Sequence, residues 1–304
     1  MLVFYKLFYA YLCKGRKKME KKKQMEIYLR KLIFIISFFA LGSLGLVLSE
    51  DVVSDRGIYT AAEGAYTHDC ILQKALSFVG TPYLAASLEI NSEEQLVVNL
   101  SEVDCMSLVE NCLALCLSAC EKDYISSEST ALFASNLQRV RYRGGHIDGY
   151  LSRLHYTCDW IADNQSKGIL RDISKDLGGV RWNKKVNFMS KHAHLYKSLK
   201  ENPALVDSMR LIEEHINERE YYYIPKGNIL AVQGQIEDGD IICFTTSIAG
   251  LDVSHLGIAC WQGSDLGFIH ASSKGMVKED GDTLIDYCMR QKQCTGIMLA
   301  RKYR

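Results

Sequence analysis

At 304 residues, 48% hydrophobic and 24% charged, the chain has an ordinary globular composition and length enough for one large core or a core with an insertion. The net charge of zero hides an asymmetry. Of 36 basic and 36 acidic residues, positions 1–49 hold ten and two, which leaves 26 and 34 in positions 50–304, a net of −8. That part carries no basic stripe, which argues against nucleic acid as a partner.

The basic residues of the first segment cluster in Lys14–Lys31, and Leu32–Leu48 follows with seventeen uncharged residues. A basic flank before an apolar run is the pattern of a secretory leader, with cleavage expected near Val47-Leu-Ser49. The alternative is a retained anchor, for which the run is slightly short. Positions 1–18 precede Met19 and Met25, either of which would open a leader of normal length. The expected organisation is a leader or anchor over 1–49 and one exported domain over 50–304. Contact with a membrane is expected only if the first segment is retained.

Eleven cysteines, an odd number with scattered spacing and no CxxC pair, do not suggest a dense disulfide framework. Cys112, Cys116 and Cys120 recur every fourth residue, on one helix face. Three thiols spread over two turns cannot all reach one zinc ion, so all three are expected to be small buried core residues.

Asp51–Tyr66 reads as an extended lead-in. A helix is predicted from Cys70 to about Val79, with its cap near Thr67 or Asp69 and its end at Gly80-Thr-Pro-Tyr83. Leu96–Leu100, with two β-branched residues, reads as a strand. From Cys105 a helix runs to about Cys120, apolar on nearly every face and therefore central, with Glu110 and Asn111 as polar exceptions open to solvent or substrate. Helices are predicted over Thr130–Tyr142, Thr157–Gly168 and from Asn202-Pro203 to about Glu220. The pattern then changes to strands: Asp240–Thr245, His255–Trp261, Leu266–Ala271 and Gly296–Ala300. Helices first and strands later predict an α+β fold, an antiparallel sheet against the Cys105 helix.

Cys105 sits in the first turn of that helix, where unpaired N–H groups and the dipole favour a thiolate. A nucleophilic cysteine needs a base, and the base needs an orienting group. His255 and His270 lie in successive strands. A two-residue turn at Gln262-Gly263 would set them directly opposite one another, with Cβ atoms roughly 5 Å apart. A five-residue loop over Gln262–Leu266 would instead shift them by three positions, about 10 Å. The chemistry expected is acyl transfer: Cys105 attacks an amide carbonyl, His255 is base and then acid, and His270 orients it. The Cys105 N–H would hold the oxyanion, with Tyr83 a candidate second donor. Read alone, a cysteine opening a helix is a core residue and a strand histidine an edge residue; the conjunction carries the catalytic reading. No cofactor or metal is expected. His192 and His194 are two apart, with no third ligand evident.

Ala75-Leu-Ser-Phe-Val-Gly-Thr-Pro-Tyr83, Asp104-Cys105, Gly239-Asp-Ile-Ile-Cys-Phe244, His255-Leu-Gly-Ile258 and Phe268-Ile-His-Ala-Ser272 occur in the order and form of the NlpC-type papain-like cell-wall hydrolases. The resemblance runs from about Cys70 to the C-terminus. It departs at Asp104-Cys-Met-Ser107, where Asp-Cys-Ser-Gly is usual, and at Leu84-Ala-Ala86, where Trp-Gly-Gly is usual. It implies a papain-like core with Cys105, His255 and His270 as catalytic residues. A segment at about 125–235 exceeds the minimal domain and reads as a large, mostly helical insertion. Its Tyr142-Arg-Gly-Gly and Ser152-Arg-Leu-His-Tyr156…Asp159-Trp160 resemble the N-acetylmuramoyl-L-alanine amidase-like branch of Gram-negative bacteria. That branch implies cleavage between muramic acid and L-alanine, preferably in anhydro-muropeptides, in the periplasm; ordinary members cut γ-D-glutamyl–diamino-acid bonds. A binding module that keeps the groove without the chemistry is the non-enzyme alternative. Candidate substrate-binding residues are Tyr83, Asp104, Arg141, Ser152, Arg153, His155, Tyr156 and Trp160, with Arg153 or Arg141 gripping a carboxylate. For Arg153, His155, Tyr156 and Trp160 the competing reading is a polar–aromatic cluster that fastens the insertion to the core.

Overall fold

The computed structural model describes residues 70–119 and 127–303. The predicted leader, the cap near Thr67 or Asp69, the lead-in and Cys120 lie outside the described residues. Among the described residues no helix is long and apolar enough to cross a membrane.

Helix α1 (Cys70–Ser77) is followed by a turn that closes at Gly80, whose φ of +88° suits glycine. Helix α2 (Cys105–Leu117) follows, then α3 (Ser127–Arg141) and α4 (Thr157–Ser166). Short strands β1 (Leu170–Asp172) and β2 (Val180–Arg181) precede α5 (Pro203–Asn217), which has proline at its start as the sequence predicts, and β3 (Tyr222–Pro225). The C-terminal third holds β4 (Ile241–Thr246), β5 (Val253–Gln262), β6 (Asp265–Ala271), β7 (Val277–Glu279), α6 (Leu284–Arg290) and β8 (Cys294–Lys302).

The strands form one sheet in the order β2-β3-β8-β4-β5-β6-β7, with β1 also pairing with β8, and every ladder is antiparallel. The architecture is therefore helices plus an antiparallel sheet. Helix α2 packs against α1, α3, β5 and β6. Its near-continuous apolar sequence is explained by this central position, with Leu108, Val109, Leu113, Ala114 and Leu115 all inaccessible. A second cluster, including Ile242, Phe244, Ala259, Phe268 and Ile297, packs against Leu284 and Cys288 of α6.

The strand predicted at Leu96–Leu100 is absent; this stretch joins no ladder. Side chains take its carbonyls instead: Arg141 Nη1 donates to Val97 O at 2.6 Å and Asn111 Nδ2 to Asn99 O at 2.9 Å. β-Branched content marked an extended segment, and the acceptors went to buried side chains rather than to a neighbouring strand. Glu110 and Asn111 are accordingly not open to substrate; each is 1% exposed.

Cys116 is not a free core thiol. It is bridged to Cys70, which ties α1 to α2 across 46 residues of sequence. Cys112 is buried, as the sequence predicts for it. Replacing Cys70 and Cys116 together by alanine is expected to lower stability by roughly 2–4 kcal/mol. Urea unfolding of the wild type should show the same loss when reductant is added, and the variant should be insensitive to it.

Candidate active site

The turn between β5 and β6 fixes the register of the two histidines. It has two residues, but they are Gly263 and Ser264: Gln262 pairs with Asp265 and Ile258 with Ile269. Gly263 has φ of +62°, as the first central position of a type II′ turn requires. The expected turn at Gln262-Gly263 put the glycine second, and the true register differs by two residues. Because side chains alternate with period two, the shift leaves both imidazoles on one face. They are diagonal neighbours rather than directly opposed, and His255 Nε2 and His270 Nδ1 are hydrogen-bonded at 2.6 Å. The residue level with His270 is Gly257, where an added Cβ would stand 2.6 Å from Phe268 Cδ2.

Phe244 pairs across the ladder with His255 and stacks on it, ring centroids 5.8 Å apart. Tyr287 of α6 closes in on both histidines, at 6.2 Å from His255 and 6.0 Å from His270. His270 is buried, whereas His255 keeps partial exposure. Burial, together with the neighbouring His270, pushes His255 down to about 3, and burial likewise lowers His270 while Asp280 pulls the other way. His155 is also pushed down to about 3, by burial and by the charge on Arg153. All three are neutral rings at pH 7.

These depressed values predict an acid-labile fold. In the unfolded chain the rings protonate near their ordinary 6.5, whereas the folded protein takes up those protons only well below that. Stability is full above about pH 6.5 and falls as the pH drops through the window toward 3, roughly 1.4 kcal/mol per pH unit for each such ring. Urea midpoints measured at pH 7.5, 6 and 5 should decline in that order.

Helix α2 presents Cys105 at its first position, behind an Asp104 N-cap. Asp104 Oδ1 accepts from Ser107 N at 2.8 Å, and Ser107 Oγ accepts from Asp104 N at 2.9 Å, a reciprocal capping box. This orders the first turn and leaves the Cys105 N–H among the helix's orphan donors. Asp104, read from sequence as a substrate contact, has this capping role. Tyr83 runs beside the same turn: Leu84 N donates to Val103 O at 3.1 Å and Val103 N to Pro82 O at 3.0 Å. Helix α2 lies against the strands that carry both histidines.

The other candidate substrate residues are engaged by partners within the protein or buried. Arg141 is 1% exposed, its Nε donates to Glu110 Oε2 at 2.6 Å, and it is not available to grip a carboxylate. Arg153 is buried against Glu89 at 2.6 Å and Glu94 at 3.3 Å, over the Tyr150 ring. Tyr156 donates from its hydroxyl to Glu213 Oε1 at 2.7 Å and accepts from Met189 N at 2.8 Å. Trp160 is fully buried. His155 is hydrogen-bonded through Nε2 to Tyr150 O at 2.8 Å, and Ser152 Oγ donates to Gly149 O at 2.7 Å. Arg153 thus ties the insertion to the loop before α2, whereas the bonds of Tyr156 stay within the insertion. His192 packs its ring on Phe188.

One group near the histidines escaped the sequence reading. Asp280 Oδ2 lies 3.1 Å from His270 Nε2. Its signal was weak, because Glu279-Asp-Gly-Asp282 reads as a solvated acidic turn.

A family profile described as AmiA-like, N-acetylmuramoyl-L-alanine amidase-like, matches residues 73–297. Among solved structures, an N-acetylmuramoyl-L-alanine amidase from Bacteroides uniformis is 37% identical, with a TM-score of 0.72 over 77% of this chain and 99% of that one. A Bacteroides fragilis protein proposed as a xylanase is 41% identical, with a TM-score of 0.70 over 75% and 99%. A Legionella pneumophila protein is 25% identical, with a TM-score of 0.57 over 78% and 89%. No curated protein sequence gives a significant match. The chain belongs to the AmiA-like, N-acetylmuramoyl-L-alanine amidase-like family, and it is an enzyme of that kind.

Proposed function

We propose that the chain is an exported cysteine amidase on a papain-like core of the NlpC type. In this reading it cuts the bond between the lactyl group of N-acetylmuramic acid and L-alanine in peptidoglycan fragments, with anhydro-muropeptides as preferred substrates. The observation that carries the mechanism is the His255–His270 hydrogen bond, on strands packed against the helix that Cys105 opens. Cys105 is the nucleophile. Its proton passes to His255 Nδ1 as sulfur bonds to the lactyl carbonyl carbon, and the oxyanion forms toward the Cys105 N–H. The tetrahedral intermediate then expels the L-alanine amine, which takes the proton from His255. Water, deprotonated by His255, hydrolyses the thioester and restores the thiol. A xylanase would instead need two carboxylates flanking a glycosidic bond; the side chains brought together here are two hydrogen-bonded imidazoles with Asp280 set against one of them.

Export, to the periplasm of a Gram-negative cell, is supported by the basic and apolar leader pattern and by the Cys70–Cys116 bridge, which suits an oxidising compartment. The test is mass spectrometry of anhydro-muropeptides incubated with the purified protein, beside Cys105→Ala. The expected products are a free anhydro-muramic sugar and an intact stem peptide, absent with the variant. A stem trimmed at the γ-D-glutamyl bond would reassign the enzyme as an endopeptidase.

A further inference from the structure

We propose that Asp280 is a positioning residue: its carboxylate fixes the tautomers of both His270 and His255, and so aims the base nitrogen at Cys105. The inference deepens the proposed cysteine mechanism and rests on it for its functional consequence, though not for its structural one.

The sheet itself delivers Asp280. Beyond the end of β7 the pairing with β6 continues by one bond, Asp280 N to Phe268 O at 3.0 Å, and His270 pairs with Lys278. Residues 278 and 280 therefore share the face of His270. The side chain of Asp280 is 7% exposed, with Oδ2 3.1 Å from His270 Nε2, a close charge contact whose angle falls outside hydrogen-bond geometry. A carboxylate only accepts, and at this distance its charge favours the proton of His270 on Nε2. Its Nδ1 is then a lone pair, and the partner 2.6 Å away, His255 Nε2, must be the donor. With its proton on Nε2, His255 has a free lone pair on Nδ1, the nitrogen that faces away from His270. One carboxylate thus orders two tautomers in series, and it acts on the thiol only through two rings.

The other charged and titratable groups around the pair do not substitute for it. On β7, Lys278 Nζ lies 3.6 Å from Asp280 Oδ2; from α6, Arg290 Nη2 lies 3.7 Å from Asp280 Oδ1 and pairs with Asp282. Both are cations that hold the carboxylate in place. Tyr287 of α6 faces both rings with its aromatic body, and α2 packs against the strands that carry them.

The test is Asp280→Asn, isosteric but able to donate. An asparagine N–H directed at His270 Nε2 forces the proton to Nδ1, which turns His255 Nε2 into an acceptor and places the His255 proton on the nitrogen meant to be the base. Turnover should fall about a hundredfold or more while KM stays unchanged, the size of effect that general-base catalysis supplies. The thermal midpoint should stay close to wild type, and Asp280→Glu should restore part of the activity. Nitrogen-15 NMR of the histidines gives a readout that needs no substrate: His255 and His270 should both be protonated on Nε2 in the wild type, and both should switch to Nδ1 in Asp280→Asn. Unswitched tautomers, or turnover within threefold of wild type, would overturn the proposal. If no Cys105-dependent product is found for any variant, the amidase reading fails while the NMR result still decides the role of Asp280.

Discussion

Cys105→Ala should lose turnover of anhydro-muropeptides by at least about 10³-fold while keeping its fold and its affinity for them. The loss is chemical, because alanine offers no atom to bond the carbonyl carbon. The fold should tolerate the change for a reason visible in the helix start. The side chain that caps α2 is Asp104, locked to Ser107, and Cys105 contributes no capping bond. Serine at position 105 should fare little better than alanine, since a neutral His255 in an apolar setting is a weak base for a hydroxyl. Single-turnover kinetics separate the outcomes: no acyl-enzyme in either variant, and ligand binding by calorimetry unchanged. A variant that retained turnover within tenfold would remove Cys105 from the mechanism.

The second large effect falls on stability. Arg141→Ala should cost about 3–5 kcal/mol, because it strands Glu110 as an unpaired buried carboxylate. Burial raises the Glu110 carboxyl and Arg141 opposes that rise. Without the arginine, the folded state holds its proton to higher pH than the unfolded chain does. The penalty therefore grows as the pH rises above about 4.5 and shrinks in acid. Removing both charges, as in Glu110→Gln with Arg141→Met, should recover much of the loss. Urea unfolding at pH 5 and pH 8 checks both statements. The loss also reaches the loop that precedes α2, since Arg141 holds the Val97 carbonyl.

Arg141 shows what the sequence could not convey. An arginine just before a glycine pair, in a segment that resembles a substrate-binding insertion, looks like a carboxylate clamp. Its actual acceptor stands 31 positions earlier, on a helix whose apolar pattern gave no hint of a buried acid. Arg153 has its acids at Glu89 and Glu94, more distant still. Pairings at such separations are products of tertiary packing. What was legible was periodic or local: the helix opening at Cys105, the proline-started helix at Pro203, and four of the five C-terminal strands, each placed within two residues of its start, with β7 missed. The histidine pair lies between these cases. Strand alternation put both rings on one face, but the register depended on which turn position Gly263 occupied. Asp280 was hidden for a third reason: an acid in an acidic turn becomes informative only when the strand pairing carries it past β7 to the face of His270.

The bridge between Cys70 and Cys116 bears on how the enzyme is made. It is not between neighbours in the sequence: Cys105 and Cys112 both lie between its partners. A chain oxidised in order from its N-terminus would offer Cys70 the nucleophile first, and that pairing would block the enzyme at birth. Helix α2 resolves the conflict once it forms, since eleven residues set Cys105 about 16 Å along the axis from Cys116. The correct pairing therefore depends on helix formation: α2 either forms before Cys70 is oxidised, or its formation drives exchange away from a Cys70–Cys105 bond.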